Sequence, residues 1–165
     1  MRRAILLGIV GALVLAAAPA NAAAPTRTVI EIPRHIVFPA GEQCAFPIRL
    51  TLLDNTFTAT VFANENGDPV REIDSGHLAV RITNQDTGDS VSYNISGPVI
   101  TRFHSDGSQT VTFLGPGLFS LFPGDIGGPG LIRTIGRVVF HRAPSGAITN
   151  IAANVQPVDV CDLLS

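Results

Sequence analysis

Tryptophan and lysine are absent from this chain, and tyrosine and methionine occur once each. With Tyr93 as the single tyrosine, the flat aromatic platforms that stack on sugar rings are hard to supply. All eleven basic residues are arginine, against thirteen acidic ones, for a formal net charge of −2. A mildly acidic chain without lysine clusters is a poor partner for nucleic acid, because neutralising phosphates needs concentrated positive charge. After residue 22 no segment of ten or more residues carries apolar side chains at helical spacing, so no long helix is expected. Internal repeats and low-complexity tracts are absent as well.

The one long apolar run lies at the start. Arg2 and Arg3 precede an apolar stretch from Ala4 to Ala17, and Ala20-Asn21-Ala22 fits the small-x-small rule for cleavage, so residues 1–22 read as a secretory signal. As a helix that run would span about 21 Å, short of a hydrocarbon core about 30 Å thick, and no retained membrane anchor is expected. No cysteine lies near the cut, which argues against a lipoprotein. Cleavage after Ala22 would leave 165 less 22, or 143, residues, the size of one domain. Losing two arginines would take the formal charge from −2 to −4. The expected product is secreted, either extracellular or associated with the cell wall.

Cys44 and Cys161 both fall in the exported part, where two thiols most simply form one disulfide. Residues 23–43 read as an extended segment at a sheet edge, because Pro33 lacks a ladder donor. Residues 44–165 read as the β-domain that the bridge closes.

Four hairpins are expected in that domain. Leu78, Val80 and Ile82 alternate with polar residues, as do Val91, Tyr93 and Ile95, across a four-residue loop ending in Gly88. This register sets Ile82 against Val91 and Val80 against Tyr93; a one-residue slip would put the apolar set in water. The next hairpin, Pro98 to Leu114, turns at Asp106-Gly107. A three-residue loop, Ser105 to Gly107, keeps Val99, Thr101, Phe103, Val111 and Phe113 on one face, and it requires Gly107 to take a positive φ. These two hairpins together read as a four-strand meander. A third hairpin is expected across Asp54-Asn55, with Leu52 opposite Phe57. The fourth turns at Pro144-Ser-Gly146, with Phe140 opposite Ile151 and Val138 opposite Ala153. Between them the Gly- and Pro-rich stretch from Gly115 to Gly130 contains Leu118-Phe-Ser-Leu-Phe122, either a strand or a packed loop. About nine or ten strands imply an all-β, antiparallel sandwich, with a closed antiparallel barrel as the alternative.

Catalytic constellations are sparse. His35, His77, His104 and His141 show no metal-ligand spacing, and His104 and His141 read as outward strand positions. Gly124-Asp-Ile-Gly-Gly-Pro129 resembles the nucleophile loop of trypsin-like proteases, but Ile126 stands where the serine would be. Glu65, Asp68, Asp86 and Asp89 sit in turns, where short polar side chains bond locally. Asn94-Ile-Ser96 matches a glycosylation acceptor. Phe119 and Phe122 are the apolar pair singled out as a speculative partner contact, with core packing of their segment the favoured alternative. No cofactor or metal is expected.

Several motifs have a familiar look: Cys44-Ala-Phe-Pro, Thr83-Asn-Gln-Asp-Thr-Gly-Asp-Ser-Val, Asn94-Ile-Ser-Gly-Pro98, Asp106-Gly107, Gly136-Arg-Val-Val and Val160-Cys-Asp-Leu. In these the chain resembles uncharacterised secreted proteins of actinobacteria. That resemblance implies export from a Gram-positive cell and a bridged β-domain, and it brings no activity with it.

The functional expectation is a non-catalytic binding or structural module of the cell envelope or extracellular space. A carrier of a small apolar ligand in a barrel cavity is the first alternative and a hydrolase the second. Two histidines meeting beside a carboxylate would favour an enzyme.

Overall fold

A computed structural model describes residues 24–165; the expected signal and its cleavage site lie outside them. Twelve strands and one short helix occur among the described residues. In chain order they are β1 (Thr26–Val29), β2 (His35–Phe38), β3 (Ile48–Asn55), β4 (Thr58–Ala63), β5 (Pro69–Ser75), β6 (Leu78–Asn84), β7 (Ser90–Asn94), β8 (Val99–Phe103), β9 (Gln109–Leu121), β10 (Gly130–Arg142), β11 (Ile148–Ala153), β12 (Val158–Asp159) and α1 (Val160–Leu163). They build two antiparallel sheets. The larger runs β1-β4-β5-β8-β9-β10-β11, with β12 added on β10, and the smaller runs β2-β3-β6-β7. Neither closes on itself, so the all-β sandwich stands and the barrel does not.

The expected registers of three hairpins are present. Ile82 pairs with Val91 and Val80 with Tyr93, and the Asn84 N–H donates to the Asp89 carbonyl at 2.9 Å across the four-residue loop. Thr101 pairs with Val111, and the His104 N–H donates to the Ser108 carbonyl at 3.0 Å, which leaves a three-residue loop. Gly107 has φ +83°, a left-handed conformation that glycine enters without steric cost. Phe140 pairs with Ile151 and Val138 with Ala153.

Two expectations about partners fail. The four-strand meander does not exist, because β6 and β7 belong to the smaller sheet and β8 and β9 to the larger. The chain changes sheets at Ser96-Gly97-Pro98. There the Gly97 N–H donates to the Pro116 carbonyl and Pro98, with no donor of its own, accepts from the Leu114 N–H, both at 2.9 Å. The hairpin across Asp54-Asn55 is absent too: β3 pairs with β2 and β6, and β4 with β1 and β5. Asn55 ends β3 by accepting from the Phe57 N–H at 2.9 Å and donating to the Ile30 carbonyl at 2.8 Å. That arrangement carries the chain across to the larger sheet. In both places an apolar period of two fixes which face a residue takes, and leaves the neighbouring strand open.

Two apolar clusters fill the structure. In one, Ile48, Val80 and Ile82 of the smaller sheet meet Leu131, Val160 and Leu164, with Leu118 packed beside them. The other joins Val111, Phe119, Leu121, Val138, Phe140 and Ile148 on the opposite face of β9 and β10. That second face is concave. Phe113 and Phe119 are six residues apart on β9, about 20 Å along a straight strand, yet their ring centroids lie 5.9 Å apart. The strand therefore bends sharply through Gly115-Pro116-Gly117 and the sheet curls over its own aromatic cluster.

Both ends of the described segment are fastened. β1 forms one edge of the larger sheet and β2 one edge of the smaller, with Pro33 in the segment that crosses between them. Cys44 and Cys161 are bonded, with Cα atoms 5.4 Å apart. Asp159 caps α1 by accepting from the Cys161 N–H at 2.8 Å.

Candidate functional site

The convex face of the larger sheet sorts its side chains by charge. One cross-strand row reads Phe62, Arg71, Arg102, Thr110, His141 and Asn150, from β4 through β5, β8, β9 and β10 to β11. The adjacent row reads Arg27, Thr60, Ile73, Ile100, Thr112 and Val139. Beyond it Leu114 pairs with Arg137. The only carboxylates on the strands of this sheet are Glu72 and Asp74 of β5 and Asp159 of β12. Glu72 and Asp74 pair with Thr101 and Val99 and so take the concave face.

Among the described residues no arginine forms an ion pair with a carboxylate; the one basic side chain within reach of a carboxylate is His77, 2.8 Å from Asp54. Arg71 lies over the Phe62 ring, 4.1 Å from its centroid, and is paired directly with Arg102. Like charges set opposite each other across two strands are destabilising.

Two grooves cut this face and share His104 and Thr110. One, of about 440 Å³, is walled by Ile100, Arg102, Thr112, Leu114, Arg137 and Val139. The second, of about 540 Å³, runs on past Asp106, Ser108, His141 and Thr149. The Thr110 hydroxyl lies 2.9 Å from His104 Nε2 and 3.1 Å from His141 Nδ1. A hydroxyl has one proton to give, so in the neutral pair one ring accepts from Thr110 and the other donates to it. The two imidazoles are thereby locked in place at the junction of the grooves.

Two histidines thus meet in a groove with a carboxylate at its rim, the arrangement that would favour an enzyme. The carboxylate, however, bonds to neither ring. Asp106 Oδ1 accepts from the Ser108 N–H and hydroxyl, at 2.9 and 2.6 Å, and those bonds hold its carboxyl below the usual range. Thr110 is spent between the rings, with no base-and-orienter chain behind it. What the groove offers is an array of donors and positive charge.

The other singled-out residues behave locally. His35 faces Thr51 and His77 faces Asp54, so those two histidines stay apart from the pair. Asn64 ties down the loop holding Glu65 and Asp68, and Asn84 bonds the Asp86 N–H. Gly88 closes its turn by donating to the Asn84 carbonyl. The Gly124-to-Pro129 loop is pinned by Asp125, which accepts from the Phe122 and Ile148 N–H groups at 2.7 Å each. Phe119 is 8 % exposed and belongs to the aromatic core, which corrects its reading as a partner contact. Phe122 is 43 % exposed and rests on Phe38. No three metal-ligating side chains converge among the described residues.

On the concave face, burial first, then the charge of Glu72 and a hydrogen bond to it, push the Asp74 carboxyl up to about 6. Its Oδ1 is buried without a donor. A raised carboxyl favours the folded state below the unfolded value near 3.8, and this contribution is lost as pH rises through about 6. Asp74→Asn is therefore expected to be more stable than the native chain at pH 7.5, and about equal to it at pH 4. Because the side chain is half-exposed, solvent screening limits the difference to about 1 kcal/mol. Urea melts across that pH range measure it, and an unchanged pH profile would refute the assignment.

Between the sheets a cleft of about 160 Å³ is lined by Ile32, Ile36, Leu50, Leu78, Ile95 and Leu118, with Ser120 its polar contributor. That is far smaller than the cavity of a lipid carrier.

No family model, curated protein or solved structure matches this chain. Among the described residues no helix is long and apolar enough to cross a membrane.

Proposed function

We propose that this protein is an exported, non-catalytic binding module that takes an anionic ligand on the convex face of its larger sheet. The observation that carries the reading is Arg71 set against Arg102 with no carboxylate to relieve either. An arrangement that costs stability in the free protein is repaid when a ligand brings the missing negative charge. Export is supported by the pattern of residues 1–22 and by the disulfide, which suits an oxidising compartment. The absence of a catalytic role is supported by the engagement of Thr110 and Asp106 in local bonds.

The smaller sheet supplies the control. Its outward face also carries arginines, Arg49 and Arg81, each paired with a threonine. Tripolyphosphate should raise the melting temperature of the native chain, since a ligand selective for the folded state stabilises it. That rise should vanish in Arg102→Ala/Arg137→Ala and persist in Arg49→Ala/Arg81→Ala. Equal losses in both would mean diffuse attraction to any basic surface.

A further inference from the structure

Resting on the anionic-ligand reading, we infer that the ligand is a linear acidic polysaccharide laid across the strands of the larger sheet. The cations do not converge on one point. From Arg27 on β1 to Arg137 on β10 the arginines of this face span six strands, about 24 Å at roughly 4.8 Å per step. Arg71 and Arg102 lie side by side between them, on β5 and β8. A single phosphate or carboxylate touches one or two of these groups; a chain with a charge on each unit touches them in series.

The chemistry between the cations narrows the class. Arginine presents a planar fork that matches a carboxylate with two parallel hydrogen bonds. The next row offers aliphatic carbon at Ile73, Ile100 and Val139, with hydroxyls at Thr60 and Thr112. Aliphatic and hydroxyl groups side by side suit a saturated sugar ring with its C–H faces and its own hydroxyls. Single-stranded nucleic acid needs aromatic planes for its bases. On the basic row the one phenyl ring, Phe62, lies beneath Arg71. The shared His104 and Thr110 make the two grooves one track, and the Asp106 carboxylate at its rim disfavours a polyanion continuing over that turn.

The test is calorimetric titration of the residue 23–165 chain, oxidised, with galacturonate monomer, an oligogalacturonate of about eight units, neutral dextran and single-stranded DNA. The oligomer should bind about 100-fold more tightly than the monomer, as linked contacts do. Arg71→Gln/Arg102→Gln should weaken it at least about tenfold, with the far-UV spectrum unchanged. Arg49→Gln/Arg81→Gln should leave it alone. Equal affinity for the monomer would overturn the chain and spare the anion reading. DNA binding as tightly as the oligomer would overturn the polysaccharide class, and dextran binding would overturn the need for charge. If tripolyphosphate stabilises the protein but no oligogalacturonate binds, this inference fails and the proposed function survives. If neither acts, both fail.

Discussion

Reducing the Cys44–Cys161 bond is expected to cost the fold about 3 to 5 kcal/mol. The bridge joins residues 117 apart, and closing a loop of roughly 100 residues removes chain entropy worth up to about 4.7 kcal/mol from the unfolded state. Against a total of about 5 to 15 kcal/mol for an ordinary domain, that is a large fraction. The bond also places the last turn of the chain. Val160 and Leu164 lie fully within the core, and the Leu164 carbonyl accepts from buried Asn84 Nδ2 at 2.8 Å. Loss of the bridge therefore frees a segment whose burial completes the core around Ile48 and Ile82. Cys44→Ala/Cys161→Ala should show the same deficit in urea as the reduced native chain. A loss below about 1 kcal/mol would mean that Val160, Leu164 and Asn84 hold the tail without it.

Substitution of Gly97 by alanine is the second large effect, expected at about 3 kcal/mol, the upper end for overpacking. A Cβ at this position would run into the carbonyl oxygens of Leu114 and Pro116. Both are backbone atoms, which cannot swing aside as a flexible side chain can. Relief would require breaking the Gly97–Pro116 hydrogen bond at the point where the chain passes between sheets. Gly41→Ala gives the comparison. Nothing lies near its Cβ position, so only its positive φ resists, at about 1 to 2 kcal/mol. Thermal and urea melts of the two variants should rank Gly97→Ala as the more damaging; the reverse order would mean that the crossing relaxes easily.

Local pairing was legible in the sequence where an alternating run met a turn residue with one conformational option. Leu78 to Ile95 and Pro98 to Leu114 are such cases, with Gly88 and Gly107 closing the loops. Sheet membership was not legible, because Val80 alternates with its neighbours identically whether the next hairpin lies beside it or opposite it. The crossing had one signal, Gly97-Pro98, and the expected four-strand meander ran straight through it. Asp54-Asn55 misled in the same way: asparagine there does redirect the chain, but toward the other sheet.

The binding face was hidden for a related reason. Arg71 and Arg102 are 31 residues apart and face each other only because β5 pairs with β8, a step that skips two intervening strands. Composition showed scattered arginines on an acidic chain; the topology gathers them. His104 and His141 meet through the long pairing of β9 with β10. A Gly- and Pro-rich stretch left that hairpin open between strand and loop, and no spacing there separated core Phe119 from exposed Phe122.

β7 is the edge of the smaller sheet opposite β2, and between Ser90 and Asn94 it holds neither proline nor an ionisable group other than Tyr93. Its solvent-side amides and carbonyls are an unguarded seam, open to any extended segment that arrives in register. Crowded preparations would knit together there first, and a lysine placed at Ser92 is the smallest change that would bar it.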